Sequence, residues 1–459
     1  MNKNISRREF LNLSAGAAAS TGLIATFGGM QRALAATSDL SGYKALVCVF
    51  LVGGNSSFNW IVPSSSSAYA TYKSSRGNLA LAQGTLLSLN GTAGDGNTYG
   101  MHPSCPELRA LFNKGAAAVI GNVGTLVKPT TAAQARANAV ALPPQLFSHI
   151  DQQTLWQTSI ANSMENYGWA GRVADLFASQ GKVANLARNI NVGGANYWQE
   201  GRETIPYVLG ENGAPVLQTT SNGGYRNGSR RQAALAILNQ AFSHGNPLVR
   251  EYASIQRNAE DKVSLVNSAF AAAGDVNVDF PAMPGDSNLG AQLRQVARMI
   301  KARAKIGDSR QIFFVSMNGF DTHNGELETQ KGLLQILSKN LNTFWNALGE
   351  MGMQNNVTTF TASDFGRSLN SNGDGSDHGW GGHAFVLGGA VVGGRIYGKM
   401  PSLAINGPDD YGSGRVVPTT STDQYAATLS RWFGVNDADL DVVFPNLRNF
   451  PARDLGFLT

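Results

Sequence analysis

The residue types best suited to hold a divalent metal lie in two short stretches of this chain. The first is Thr361–Gly389, which reads TASDFGRSLNSNGDGSDHGWGGHAFVLGG and carries Asp364, Asp374, Asp377, His378 and His383. The second is the run SMNGFDTH, which ends in Asp321 and His323. Half of the six histidines fall in these two places. Each stretch follows an apolar run of β type, Val357–Thr361 in one case and Gln311–Ser316 in the other. Carboxylates and imidazoles at the carboxyl ends of apolar strands are what a metal site in an α/β enzyme requires. Asp321 and His323 are two apart, so an extended backbone points both side chains the same way. The glycines around His378 and His383 let the loop fold tightly enough to bring both imidazoles to one point, with Trp380 as a roof. The ligand set expected is therefore Asp321, His323, Asp364, His378 and His383. Each has a plain alternative role: Asp364 is also a good helix cap, and Asp321 a partner for a nearby histidine. Arg367 either grips an ester oxyanion in bidentate fashion or pairs with Asp364.

A nucleophile is expected where Ser148-His149-Ile150-Asp151-Gln152-Gln153 follows Pro143-Pro144 and opens a helix. Backbone N–H groups and the helix dipole favour an anion at such an N-terminus. Ser148 is thus the candidate to attack a phosphate or sulfate ester, with His149 beside the substrate. Ser148 is equally an N-cap. The chain has no G-x-S-x-G elbow and no Walker loop.

The N-terminus sets the compartment. Ser6-Arg7-Arg8-Glu9-Phe10-Leu11 is a twin-arginine pattern, followed by an apolar Ala/Gly-rich stretch and then Ala33-Leu34-Ala35, a small-residue cleavage site. Residues 1–35 are read as a signal for the Tat translocase, removed on export to the periplasm or beyond. Arg32 interrupts the apolar stretch before it could span a bilayer, and no later run is long enough, so no permanent membrane anchor is expected. The formal charge of +5 includes Lys3, Arg7, Arg8 and Arg32 against Glu9, so the mature chain carries only about +2. That is no nucleic-acid footprint. Cys48 lies inside the apolar run ALVCVFLV and reads as a small buried hydrophobe, although an exported protein can pair it with Cys105.

Strand and helix signals alternate. Ala45–Val52 has the continuous apolar character of a parallel strand buried on both faces. Helices are expected over Pro103–Lys114, Gln152–Ser163, Gly168–Gln180, Leu327–Met351 and Thr422–Phe433, the last capped by Ser421 or Thr422. Residues 230–306 show helical spacing with little strand signal and read as a helical insertion. Tyr207–Leu209 and Thr219–Arg230 have no clear assignment. The pattern predicts one α/β domain over residues 36–459, doubly wound around a mostly parallel sheet.

Several motifs together carry a resemblance. FLVGGNSSFNW, MHPSCPELRALF, LPPQLFSHIDQQTLWQT, FFVSMNGFDTH, TASDFGRSL with DHGWGGH, and RIYGKMP resemble an exported bacterial family known as domain of unknown function 1501. That family is similar in fold to the alkaline phosphatase and sulfatase superfamily. The resemblance implies a divalent metal (Zn, Mn or Ca), a small-molecule or polymer ester substrate, and Asp321 with His323 on one ion. It also implies that Ser56 stands where relatives have an acidic ligand and Phe365 where the superfamily has a histidine. Asn55, Ser56 and Asn59 fall in the implied substrate loop, with Asn59 or Arg367 orienting ester oxygens. Two functions are thus expected: an exported metal-dependent ester hydrolase, or a non-catalytic exported protein that binds a partner on the same fold with a degenerate metal site.

Overall fold

A computed structural model describes residues 38–459 except 92, 215–236, 238, 239, 284, 286 and 287. The signal segment 1–35, the segment Thr219–Arg230 and the start of the expected insertion lie outside the described residues. In chain order the strands are β1 (Lys44–Leu51), β2 (Ile61–Pro63), β3 (Leu87–Ser88), β4 (Tyr99–Met101), β5 (Ala117–Gly124), β6 (Asn189–Asn191), β7 (Tyr207–Val208), β8 (Arg310–Met317), β9 (Val357–Ser363), β10 (Arg367–Ser371), β11 (Ser376–His378), β12 (Gly382–Leu387), β13 (Ile396–Tyr397) and β14 (Thr420–Ser421).

Nine of these strands form one sheet in the order β13-β5-β12-β9-β1-β8-β6-β7, with β14 also on β5. All pairings are parallel except those of β12, which runs against both β5 and β9. β1 sits in the middle and is buried along its length, because alternate residues serve two cores. Ala45, Val47, Val49 and Leu51 join one core, under the helices Pro106–Asn113, Leu289–Lys301 and Glu326–Glu350. Leu46, Cys48 and Phe50 join the other, under Trp169–Ser179 and Thr422–Phe433. Helices on both faces of a mostly parallel sheet make the doubly wound α/β architecture.

Local departures from the sequence reading have local causes. The first of the expected helices starts at Pro106 rather than Pro103, because His102–Cys105 is a turn in which Cys105 donates to the His102 carbonyl. The helix expected over Gln152–Ser163 runs His149–Thr158, stopped by Ser159 in the left-handed region. Ser421 caps the late helix in a capping box with Gln424, as its sequence predicts. Tyr207–Val208 is a short strand at the sheet edge. In the 230–306 region the helices Pro247–Ala273 and Leu289–Lys301 are present, but the second is part of the central core through Leu289, Leu293, Val296 and Ile300. Cys48 and Cys105 are both buried free thiols.

An ion pair of Arg76 and Glu326, both fully buried, lies below the carboxyl edge of the sheet. Arg76 also donates to Asn59 Oδ1 (3.0 Å) and to the carbonyls of Ser368 (2.9 Å) and Leu369 (3.0 Å). Glu326 accepts from the hydroxyls of Ser56 (2.7 Å) and Ser376. Removing one member of such a pair strands the other charge. Arg76→Ala is therefore expected to lower unfolding free energy by about 3–5 kcal/mol, read from urea denaturation. A loss below about 1 kcal/mol, the range of an exposed pair, would contradict this placement.

Candidate metal centre

β1, β8 and β9 end level with one another, since Leu51 is in register with both Met317 and Ser363. Their following loops therefore leave the sheet side by side. Gly53, with φ of +116°, lets the β1 loop touch the β8 loop; a Cβ there would lie 2.4 Å from Asp321 N. Gly54 (φ +88°) makes room in the same way for the Phe365 ring. The Gly-rich run after β9 is not a plain loop. It folds into the antiparallel hairpin β10–β11, in which Arg367 is paired with His378. Asp374, in the hairpin turn, accepts from Gly325 N (2.9 Å) at the start of the helix Glu326–Glu350.

These elements gather three histidines around one carboxylate. Asp321 Oδ1 lies 3.2 Å from His323 Nε2 and 3.4 Å from His378 Nε2, and Asp321 Oδ2 lies 3.5 Å from His149 Nε2. His323 Nε2 and His378 Nε2 are 2.9 Å apart. Ligands held at about 2.0–2.1 Å by one tetrahedral ion sit about 3.3–3.4 Å from each other, close to the separations of His149 and His378 from Asp321. Among the described residues, His149, Asp321 and His378 form a group whose donor atoms all lie within 4.8 Å of one another.

The far side of each ligand is held. His149 Nδ1 donates to Asp364 Oδ2 at 2.7 Å, and His378 Nδ1 donates to the Phe147 carbonyl at 2.7 Å. In each neutral imidazole this puts the lone pair on Nε2, facing Asp321. His149 Nε2 is buried and has no hydrogen-bond partner. The His378 lone pair accepts from His323 Nε2–H at 2.9 Å, whereas that of His149 faces Asp321 with no donor, and a cation among His149, Asp321 and His378 would satisfy it. Two imidazoles with one carboxylate suit Zn²⁺ better than Ca²⁺, which prefers oxygen ligands. Phe147 offers its carbonyl from a φ of +74°, a strained conformation for a bulky residue beside a site.

Charges follow the same geometry. The hydrogen bond to Asp364 raises the His149 pKa, against the effect of burial. Burial lowers that of His378. Burial pushes the Asp321 carboxyl up, but the Arg367 hydrogen bond and charge, with His323 and His149, outweigh it and leave it below the ordinary value. Asp377 is lowered by its hydrogen bond from Asn372 and lies 3.4 Å from His323 Nδ1.

The structure thus brings together Asp321, His323 and His378, and adds His149. Other expected site residues fall elsewhere. Asp364 is one step removed: its buried carboxylate accepts from Gly53 N (3.1 Å), Gln153 Nε2 (2.9 Å) and His149, and it orients the histidine instead of facing the ion position. His383 lies outside the cluster, because it is the second residue of β12 and its Nδ1 accepts from Asn122 N at 3.1 Å. Arg367 is buried and spent on Asp321 Oδ1 (2.7 Å), the Gly53 carbonyl (3.0 Å) and the Ser376 carbonyl, so it positions Asp321 and is not free to grip an oxyanion. Ser56 and Asn59 face the Arg76–Glu326 pair, and Asn55 is buried behind β9, its N–H on Ser363 Oγ. Trp380 is no roof: it is buried, with Nε1 on the Thr125 carbonyl. Ser148 directly precedes His149, and its hydroxyl donates to Asp151. Phe365, where the resemblance implies a histidine, packs its ring 4.9 Å from both His149 and His378. His149, expected beside the substrate and not among the ligands, joins the cluster; its i, i+4 spacing with Gln153 puts both on one helix face toward Asp364.

The chain belongs to the family described as "Protein of unknown function (DUF1501)", whose profile matches residues 43–442. No curated protein matches the sequence. Among solved structures it is similar to the lipoteichoic acid synthase LtaP from Listeria monocytogenes, at 10% identity over 88% of this chain and 76% of that one, with a TM-score of 0.34. It is also similar to the PsFucS1 sulfatase from Pseudoalteromonas sp. (13%, 86% and 68%, TM-score 0.31) and to the alkaline phosphatase of the Antarctic bacterium TAB5 (9%, 78% and 95%, TM-score 0.27). At these scores a functional reading rests on the sheet and the site of this chain, not on the likeness.

Two outcomes test these placements. Ser56→Asp would set a second carboxylate against Glu326, so it is expected to destabilise the fold by on the order of 3 kcal/mol without raising metal affinity. Unchanged stability with more bound metal would show that position 56 faces the ion. Burial also depresses the His383 pKa from 6.5 to about 3. The unfolded chain then binds the extra proton between those values, so this histidine's contribution is intact above about pH 6.5 and is lost as pH falls toward 3. His383→Leu is expected to make stability fall less steeply over that window than in the wild type; an unchanged slope in urea midpoints would contradict a buried neutral His383.

Proposed function

We propose that the protein is an exported metal-dependent hydrolase of a phosphate or sulfate ester, of the alkaline phosphatase-like type. The observation that carries this reading is the aim of His149 Nε2 and His378 Nε2 at Asp321, each fixed from behind by a hydrogen bond at Nδ1. Asp321, His149 and His378 would hold the ion, with His323 beside them. When bound, such an ion supplies Lewis-acid polarisation of an ester oxygen and neutralises charge on the transferring group.

The chain's own residues do the positioning. Asp364 and Gln153 lock the His149 ring, the Phe147 carbonyl locks His378, and Arg367 locks Asp321. Three carboxylates, Asp321, Asp364 and Asp377, stand around the site. An anionic ester would be repelled from them without a bound cation. The Ser148 hydroxyl bonds within its own helix and touches no member of the cluster, so water is the favoured nucleophile over Ser148. Export rests on the twin-arginine pattern and the cleavage motif. No helix among the described residues is long and apolar enough to cross a membrane.

Protein purified without chelator is expected to hold about one equivalent of zinc-class metal, and to hydrolyse p-nitrophenyl phosphate or sulfate only when loaded. His149→Ala should remove both metal and activity. Asp364→Asn should weaken metal affinity about 10–100-fold, as loss of an outer-shell carboxylate does. Ser148→Ala should keep most of the activity. Full hydrolysis by metal-free protein would refute the metal requirement. A metal-loaded protein inert to both esters would favour the non-catalytic binding protein instead. Inactivity of Ser148→Ala alone, with metal content intact, would make Ser148 the nucleophile.

A further inference from the structure

His383, excluded from the metal cluster, has an unspent donor. Its Nδ1 accepts from the Asn122 backbone N–H, so the single proton of the neutral ring sits on Nε2. That N–H has no partner among the described residues, although the residue is only 7% exposed. His383 lines a cavity of about 300 Å³ that none of the cluster residues borders. Pro63, Tyr99, Met400 and Leu403 give this cavity apolar wall, and Asp95 and Asn97 lie on its more exposed side.

The polar groups specify the ligand. An N–H on a residue that lines a cavity calls for an oxygen acceptor. Asp95 accepts from Asn97 N (3.0 Å), Asn97 Nδ2 (2.9 Å) and the Tyr99 hydroxyl (2.6 Å), which leaves one of its roughly four acceptor positions open. Its negative charge disfavours anions and favours a hydroxyl donor. The volume is at the lower end for a small-molecule site, which is about 300–1,000 Å³. A ligand with an apolar face, ring or hydroxyl acceptors and hydroxyl donors, and no charge, is a saccharide unit.

We propose that this cavity binds an uncharged saccharide unit, with His383 Nε2–H donating to a sugar oxygen and Asp95 accepting from a hydroxyl. The assignment does not depend on the metal reading: metal-free protein should bind as well as loaded protein.

The test titrates glucose, galactose, mannose and N-acetylglucosamine, with their β-linked disaccharides, by saturation-transfer NMR and calorimetry, with glucose 6-phosphate as the anionic control. At least one neutral sugar is expected to bind with a millimolar or tighter Kd, and the control more weakly than glucose. His383→Phe is expected to weaken binding about tenfold, the scale of one lost hydrogen bond. Because His383 is buried, a second variant guards against misfolding: Ala68→Trp, on the half-exposed wall of the cavity, should block binding while leaving the thermal midpoint and metal content unchanged. Absence of binding by every neutral sugar, or binding unaffected by Ala68→Trp, would overturn the proposal.

Discussion

The buried pair of Arg76 and Glu326 is the interaction on which the rest of the site depends. Its two charges reach three of the segments that build the carboxyl edge: the β1 loop through Ser56 and Asn59, both strands of the hairpin through Ser368, Leu369 and Ser376, and the long helix that Glu326 opens. Burying two charges costs several kcal/mol each, so such a pair persists only where further hydrogen bonds satisfy it. Here five side-chain or backbone groups do so. Glu326 also stands in the first turn of its helix, where a negative charge is favoured. The pair fixes the hairpin, and the hairpin presents His378 and Arg367.

A second buried arginine completes the transfer from scaffold to site. Arg367 crosses from β10 to the β1 loop and to Asp321, so the carboxylate at the centre of the cluster is set by the same hairpin that carries one of its histidines. The outer contacts of His149 and His378 are then of two kinds, a buried carboxylate and a strained carbonyl. Both leave the ring nitrogens facing inward as lone pairs. The arrangement belongs to the α/β logic of ligands at strand ends, and it occupies the region matched by the family profile.

Much of this was legible because strand ends announce themselves. The apolar run around Cys48 and the Gly-rich turn after it located the central strand, and the level ends of β1, β8 and β9 explain why Asp321, His323 and His378 meet. What was hidden depends on side-chain direction and on contacts far apart in sequence. Asp364 and Asp321 both follow parallel strands, yet Asp321 faces three histidines and Asp364 only His149. Ser56 and Asn59 read as a substrate loop, but a four-residue helix, Ser57–Trp60, turns them into the core. His378 and His383 sit in one glycine-rich run, but β12 starts between them and carries the second away. His149 reaches Asp321 from 172 residues earlier in the chain, and its neighbours read as an ordinary helix start.

The most direct measurement is anomalous diffraction at the zinc edge from crystals grown with zinc and no chelator. One strong peak is expected, bounded by Asp321, His149 and His378, about 2.0–2.1 Å from the two histidine Nε2 atoms. Zinc found only at other sites, with these three side chains bonded to protein groups or to water, would contradict a metal centre here.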